Sequence, residues 1–249
     1  MRKEVIGDCE IWLGDCEEVI PQLPPVNAVI FDPPYLLSDA GPGKSHYGMS
    51  LKKFDGDAYK NIVSGFDFEK IFPMLEKICS PFNMFCFCSN KQISKLMGYH
   101  ELKGRITTLC VWHKVNAAPF ANGVWRGDIE YVVHTRDAGA TFTGNAEEKK
   151  KVSEYPIVCD LEHPSVKPLE LMKKYVKICT NPGDIVLDPY LGTGTTLVAC
   201  ARLGRRGIGI EKELEYFDIA CKRLEMAYAQ PDMLVAPVEK LVQAEIGNL

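Results

Sequence analysis

Asp184-Ile185-Val186-Leu187-Asp188-Pro189-Tyr190-Leu191-Gly192-Thr193-Gly194-Thr195-Thr196 reads as a buried strand, a tight glycine turn and the first residues of a helix. Gly192 and Gly194 let the backbone approach a ligand closely, and Thr195 or Thr196 is placed to cap the helix whose amides face that ligand. Glu211 follows a second apolar strand, 17 residues after Gly194. A carboxylate at that strand tip is placed to accept hydrogen bonds from both hydroxyls of a ribose. No Lys follows the glycines, which excludes a Walker loop, and Leu197 stands where a dinucleotide fingerprint needs a third Gly. The loop therefore points to a nucleoside-bearing cofactor without a pyrophosphate, against the plainer reading of a glycine turn that only packs.

Similar apolar runs extend outward from this unit. Strands are expected at Glu10–Leu13, Val26–Phe31, Asn83–Cys88, Thr107–Trp112, Ile129–Thr135, Asp184–Leu187 and Gly207–Ile210. Helical patterns cover Phe68–Cys79, Lys91–Met97, Leu169–Cys179, Thr195–Leu203 and Leu214–Tyr228. Strands of this kind alternating with helices imply an α/β fold, a mostly parallel seven-stranded sheet with helices on both faces. Leu36–Gly56 and Arg136–Glu162 resist the pattern and read as long loops or small insertions.

The chain has 249 residues, 46% hydrophobic and 25% charged, enough for one large core without staples. No apolar run approaches the roughly 20 residues of a membrane span, and Met1-Arg2-Lys3-Glu4 opens no signal-type stretch. A soluble cytoplasmic protein is expected. Ten cysteines, most of them inside apolar runs, read as buried hydrophobes, and with no C-x-x-C pair no structural metal is expected. The net charge of −4 excludes a wholly basic coat but not a local basic face.

Val26–Phe31 ends in Asp32-Pro33-Pro34-Tyr35. Two prolines remove two donors and hold the chain extended, leaving free carbonyls beside a carboxylate and an aromatic ring. That rim suits a planar ligand bearing an amino group. Asp32 and the Pro33 carbonyl can each accept one amino hydrogen, and Tyr35 can stack on the ring. An ordinary proline turn would require neither Asp nor Tyr.

Asp32-Pro33-Pro34-Tyr35 together with Asp188–Thr195 resembles the S-adenosylmethionine-dependent DNA amino-methyltransferases. His163-Pro164-Ser165-Val166-Lys167-Pro168 is similar to the element that family places before its cofactor loop. The tetrapeptide comes first and Gly192 follows Asp32 by 160 residues, as in the circularly permuted beta class. Gly14-Asp15, Trp112-His113-Lys114 with Glu130-Tyr131, and Glu211 with Tyr216 and Arg223 also fit, so the resemblance spans roughly residues 8 to 226. It implies a single Rossmann-like methyltransferase domain over 1–249, with loop or target-recognition insertions about 36–60 and 114–162 and a tail about 229–249. It implies that Asp188, Gly192, Gly194 and Thr195 line the methionine end of the cofactor, that Lys167 helps close it and that Tyr190 is also cofactor-binding. Glu211 would hold the ribose, and Asp15 would lie by the adenine or the sulfonium. Tyr190 stands where the family commonly has Phe, a change of little expected consequence. The implied partner is double-stranded DNA, with no membrane. Relatives of this class are often homodimers, and some serve beside a separate restriction endonuclease.

On this reading Asp32 and the Pro33 carbonyl draw the amino nitrogen toward tetrahedral geometry for direct transfer, with positioning and electrostatics supplying most of the acceleration. The base must leave the stack, and Tyr35 receives it. Lys44, Lys52, Lys53, Lys91, Lys114, Arg126, Arg136 and Lys149–Lys151 are the candidate phosphate contacts, and as a group with Asn116, Asn122 and Trp125 they sit where sequence recognition is expected. The target is adenine in this reading, because the N4-cytosine branch more often has Ser in place of Asp32. Protein-amide enzymes commonly have Asn there, and RNA is another substrate of the same chemistry. A non-catalytic DNA-binding regulator would not need the intact Asp32 and glycine loop. A nicotinamide oxidoreductase is opposed by Leu197 and the proline motif, and ring-carbon methylation of cytosine by the lack of any Pro-Cys pair.

Overall fold

All seven apolar runs become strands of one sheet, and two further strands join it. The computed structural model describes residues 2–34, 66–117, 119, 125–158 and 166–229. The strands are β1 (Arg2–Ile6), β2 (Cys9–Leu13), β3 (Ala28–Phe31), β4 (Asn83–Cys88), β5 (Ile106–Lys114), β6 (Ile129–Arg136), β7 (Val152–Tyr155), β8 (Ile185–Asp188) and β9 (Arg206–Glu211). Among the described residues they form a nine-stranded sheet in the order β1-β2-β9-β8-β3-β4-β6-β5-β7, which corrects the expected seven. The additions are the two edges. β1 pairs antiparallel with β2 through a two-residue turn at Gly7-Asp8, and β7 pairs parallel with β5. Edge strands face water along one side, so Arg2-Lys3-Glu4 and Val152-Ser153-Glu154 carry no apolar run to betray them.

The interior strands alternate between two apolar faces. Ala28, Ile30, Phe85, Phe87 and Val186 pack with Leu171, Leu197 and Phe217. Those three side chains come from α4 (Leu169–Cys179), α5 (Thr195–Arg202) and α6 (Leu214–Ala229). Val29, Phe31, Met84, Cys86 and Leu187 face the other way, against Val19, Phe72 and Leu96. These belong to α1 (Cys16–Val19), α2 (Phe68–Ile78) and α3 (Ile93–Glu101). Period-two alternation with both sets apolar is what a doubly covered sheet requires. The nine described cysteines are free and buried within these layers. No described helix is long and apolar enough to cross a membrane.

β2, β9, β8, β3 and β4 are mutually parallel, so their carboxyl ends share one edge of the sheet. From β8 the chain passes through α5 to β9 on one side. From β3 it reaches β4 on the other. Neighbouring β8 and β3 therefore flank a switch point, where connections diverge and a crevice opens beyond the strand ends.

Candidate active site

One wall of this crevice is the turn between β8 and α5. Gly192 and Gly194 adopt φ values of 55° and 87°, in the left-handed region that favours glycine. A Cβ on Gly192 would meet no atom within 4 Å, whereas one on Gly194 would lie 3.0 Å from the Cβ of Ala220. The turn thus packs its second glycine against α6 and opens its first to the crevice. Gly194 itself is the N-cap of α5, and neither threonine caps the helix. Thr196 donates instead to Asp188 Oδ2 at 2.5 Å, and Tyr190 N–H donates to Asp188 Oδ1 at 3.0 Å. From α6, Arg223 donates to the Thr193 carbonyl and hydroxyl, each at 2.6 Å, and to the Thr195 hydroxyl at 3.2 Å.

Two carboxylates serve this wall. Burial pushes the Asp188 carboxyl up to about 7, against the pull of its two hydrogen bonds, and the negative charges of Asp32 and Glu211 add to the rise. Glu211, at the end of β9, accepts the Gly192 N–H and the Glu213 N–H at 2.8 Å each. Burial raises its pKa as well, with those amides opposing. Among the described residues both carboxyls are held by neutral donors, so an arriving positive charge favours their ionised forms.

Asp32 stands at the end of β3 and forms the opposite wall. The Phe31 ring before it stacks on Tyr190, centroids 5.8 Å apart at 21°, which ties the two walls together. Lys167, the second residue before α4, pairs with Asp32 Oδ2 and lies 3.2 Å from Glu130 Oε2. Burial works against the Lys167 ammonium, yet the Asp32 and Glu130 carboxylates outweigh it and raise its pKa. Asp32 thereby stands beside the crevice paired with a buried ammonium.

The structure brings Asp32, Asp188, Tyr190, Gly192, Gly194, Thr195 and Glu211 to one edge. Pro33 and Pro34 continue the Asp32 rim. Asp15 lies beside them, because Gly14 N–H donates to the Glu211 carbonyl at 2.9 Å, but its carboxylate caps α1 through Glu17 N–H at 2.8 Å. Lys167 holds Asp32 rather than the glycine turn. Tyr35, His163–Ser165, Lys44, Lys52, Lys53 and Asn122 lie outside the described residues. Lys114 is corrected as a phosphate contact: it is buried and paired with Glu130 at 2.7 Å. Sequence reading passed over Thr196 as the Asp188 donor and gave Arg223 and Glu130 no function. The i, i+8 spacing of Asp188 and Thr196 across a glycine turn was a usable signal for the first; the others depend on contacts between distant elements.

The family model described as DNA methylase matches residues 26–222. The chain is 28% identical over 227 residues to the Type II methyltransferase M2.DpnII of Streptococcus pneumoniae, spanning 80% of this chain and 82% of that one. It is 27% identical to M.HinfI of Haemophilus influenzae, spanning 93% and 73%. The solved M1.HpyAVI–SAM complex aligns with a TM-score of 0.63 at 31% identity, covering 86% of this chain and 99% of that one. PvuII DNA methyltransferase, described as cytosine-N4-specific, aligns with a TM-score of 0.64 at 15% identity over 90% and 92%, a likeness of fold.

Proposed function

The chain belongs to the DNA methylase family, and we propose that it transfers a methyl group from S-adenosylmethionine to the exocyclic amino nitrogen of adenine within a specific sequence of double-stranded DNA. The observation that carries this is Asp32, held by buried Lys167 at the switch point directly across from the open glycine turn. The residues fit the cofactor: Gly192 leaves space, Glu211 offers acceptors to a ribose, and buried Asp188 gains from a nearby cation. When bound, S-adenosylmethionine supplies an electrophilic methyl group on a cationic sulfur.

Asp32 and the Pro33 carbonyl accept the two amino hydrogens. This localises the nitrogen lone pair, which the ring otherwise delocalises, and aims it into the crevice. Lys167 belongs to this acceptor side rather than to closure of the cofactor. Tyr35 receives the extruded base. Thr195 and Tyr190 shape the cofactor wall, and Asp15 borders it while capping α1. The whole chain acts as one catalytic domain. The stretches 36–60 and 114–162 supply target recognition, and the second of these also contributes β6 and β7 to the sheet. The Type II names of the relatives support a restriction–modification setting with a separate endonuclease. Asp32 favours adenine over the amino group of cytosine.

The test is to methylate unmodified plasmid DNA with labelled cofactor and digest it to nucleosides. Label is expected on N6-methyladenine. Label on N4-methylcytosine would replace adenine as the target, and unlabelled DNA would remove the activity.

A further inference from the structure

Four charged side chains of alternating sign run in an unbroken line to Asp32. Lys114 Nζ lies 2.7 Å from Glu130 Oε1, Lys167 Nζ lies 3.2 Å from Glu130 Oε2, and the same ammonium pairs with Asp32 Oδ2. The side chains of Lys114, Glu130 and Lys167 are 6%, 7% and 6% exposed, against 27% for Asp32. Three of the four side chains are therefore buried, and Asp32 is part-exposed. Two aromatic rings flank the line: Lys114 sits over the Trp112 ring and Lys167 over the Phe87 ring.

Buried ion pairs are poor stability devices, because desolvation consumes most of the Coulomb gain and apolar replacements often do as well. What such a line does achieve is direction. Lys167 has two of its donors committed, one to Glu130 and one to Asp32, so Glu130 sets where the ammonium points. Lys114 in turn fixes Glu130, and the two stand at opposite ends of the β5–β6 connection. The charges alternate along the line, so neutralising Glu130 or Lys114 changes the charge that Lys167 and Asp32 face.

We infer that Glu130 and Lys114 are positioning residues for the transfer step: they orient Lys167 and, through it, the Asp32 carboxylate that receives the amino group. This rests on the acceptor role given to Asp32 under Proposed function. A residue acting this way governs the rate of transfer and leaves ligand affinity alone.

The experiment is a double-mutant cycle read by single-turnover methyl transfer at saturating DNA and cofactor, with both dissociation constants and the melting temperature measured for each variant. Glu130→Gln and Lys114→Met should each slow transfer at least tenfold, with dissociation constants within about twofold of wild type. The double variant restores charge balance and keeps an amide acceptor for Lys167, so it should be about tenfold faster than either single variant. If one single variant does not fold, the other, whose charge change has the opposite sign, is compared with the same double variant. Transfer at the wild-type rate in the single variants, or a double variant no faster than they are, overturns the inference. So does failure of both single variants to fold, or a rate that merely follows melting temperature. Asp32→Ala separates the two levels. If it keeps the wild-type rate, the acceptor reading itself fails; if it is slow while Glu130→Gln is fast, only the positioning role fails.

Discussion

Asp188 and Asp32 are carboxylates at the ends of adjacent parallel strands, and they are held in opposite ways. Asp188 is buried, takes its hydrogen bonds from a hydroxyl and an amide, and forms no ion pair among the described residues; its carboxyl is pushed up to about 7. Asp32 is part-exposed and already neutralised by Lys167. The proposed cofactor wall holds a carboxyl whose ionised form a positive ligand would favour. The proposed acceptor wall is an ion pair that would meet a neutral amino group. On the proposed function, two such walls would discriminate a cationic cofactor from a neutral base by charge before any shape is considered.

The sharpest way to break this contrast is Asp32→Ala. Loss of one transition-state acceptor should slow transfer by a hundredfold to a thousandfold. Calorimetry should find cofactor affinity unchanged, and a matching loss of affinity would show that the two walls are not separate. Next comes Glu211→Ala, which belongs wholly to the cofactor wall. Removing charged hydrogen bonds worth roughly 1.5–3 kcal/mol should weaken cofactor binding while single-turnover transfer at saturating cofactor changes far less. Equal losses in both would merge the walls.

The pH response of Asp188 sharpens the comparison. Its carboxyl is raised from 3.8 to about 7, so the folded chain binds that proton more tightly than the unfolded chain does. Stability contributed by this group is greatest below about pH 4 and is lost as pH climbs toward 7, by at most about 1.4 kcal/mol per pH unit. Denaturant midpoints of Asp188→Asn should show a flatter slope across that window. Calorimetry near pH 6 in buffers of different ionisation heat should show cofactor binding release a proton from the wild type but not from the variant; equal release from both removes Asp188 as the source. The smallest effect is expected of Arg223→Met. It deletes donors to Thr193 and Thr195 that support the glycine turn from behind, so it should weaken cofactor binding only through that turn and by less than Glu211→Ala. An effect on transfer rather than binding would place Arg223 in the acceptor wall.

The cofactor wall was the more legible of the two because its contacts are local. Asp188, Tyr190 and Thr196 meet within one turn of chain, and the glycines that permit it lie between them. Leu169–Cys179 was read to its exact ends, since apolar residues at helical spacing meet one face of the sheet. The edge strands were missed for the converse reason: β1 and β7 are identified by backbone pairing, which leaves little trace in side-chain polarity. The two-residue Gly7-Asp8 turn was the one available hint of β1.

By itself, then, the sequence determined the alternation of strands and helices, the placement of the glycine turn and the proline rim at strand ends, and the pairing of a carboxylate with each. Periodicity and backbone restriction act over a few residues and need no partner. Tertiary structure alone decided what each carboxylate would meet. Lys114 reads as a surface lysine until antiparallel pairing of β5 with β6 brings it against Glu130, and Lys167 is 135 residues from the Asp32 it neutralises. Burial turns these charges into a directed line, and burial is a property of the closed sheet, where desolvation makes every unmatched charge costly and every matched one fixed in place.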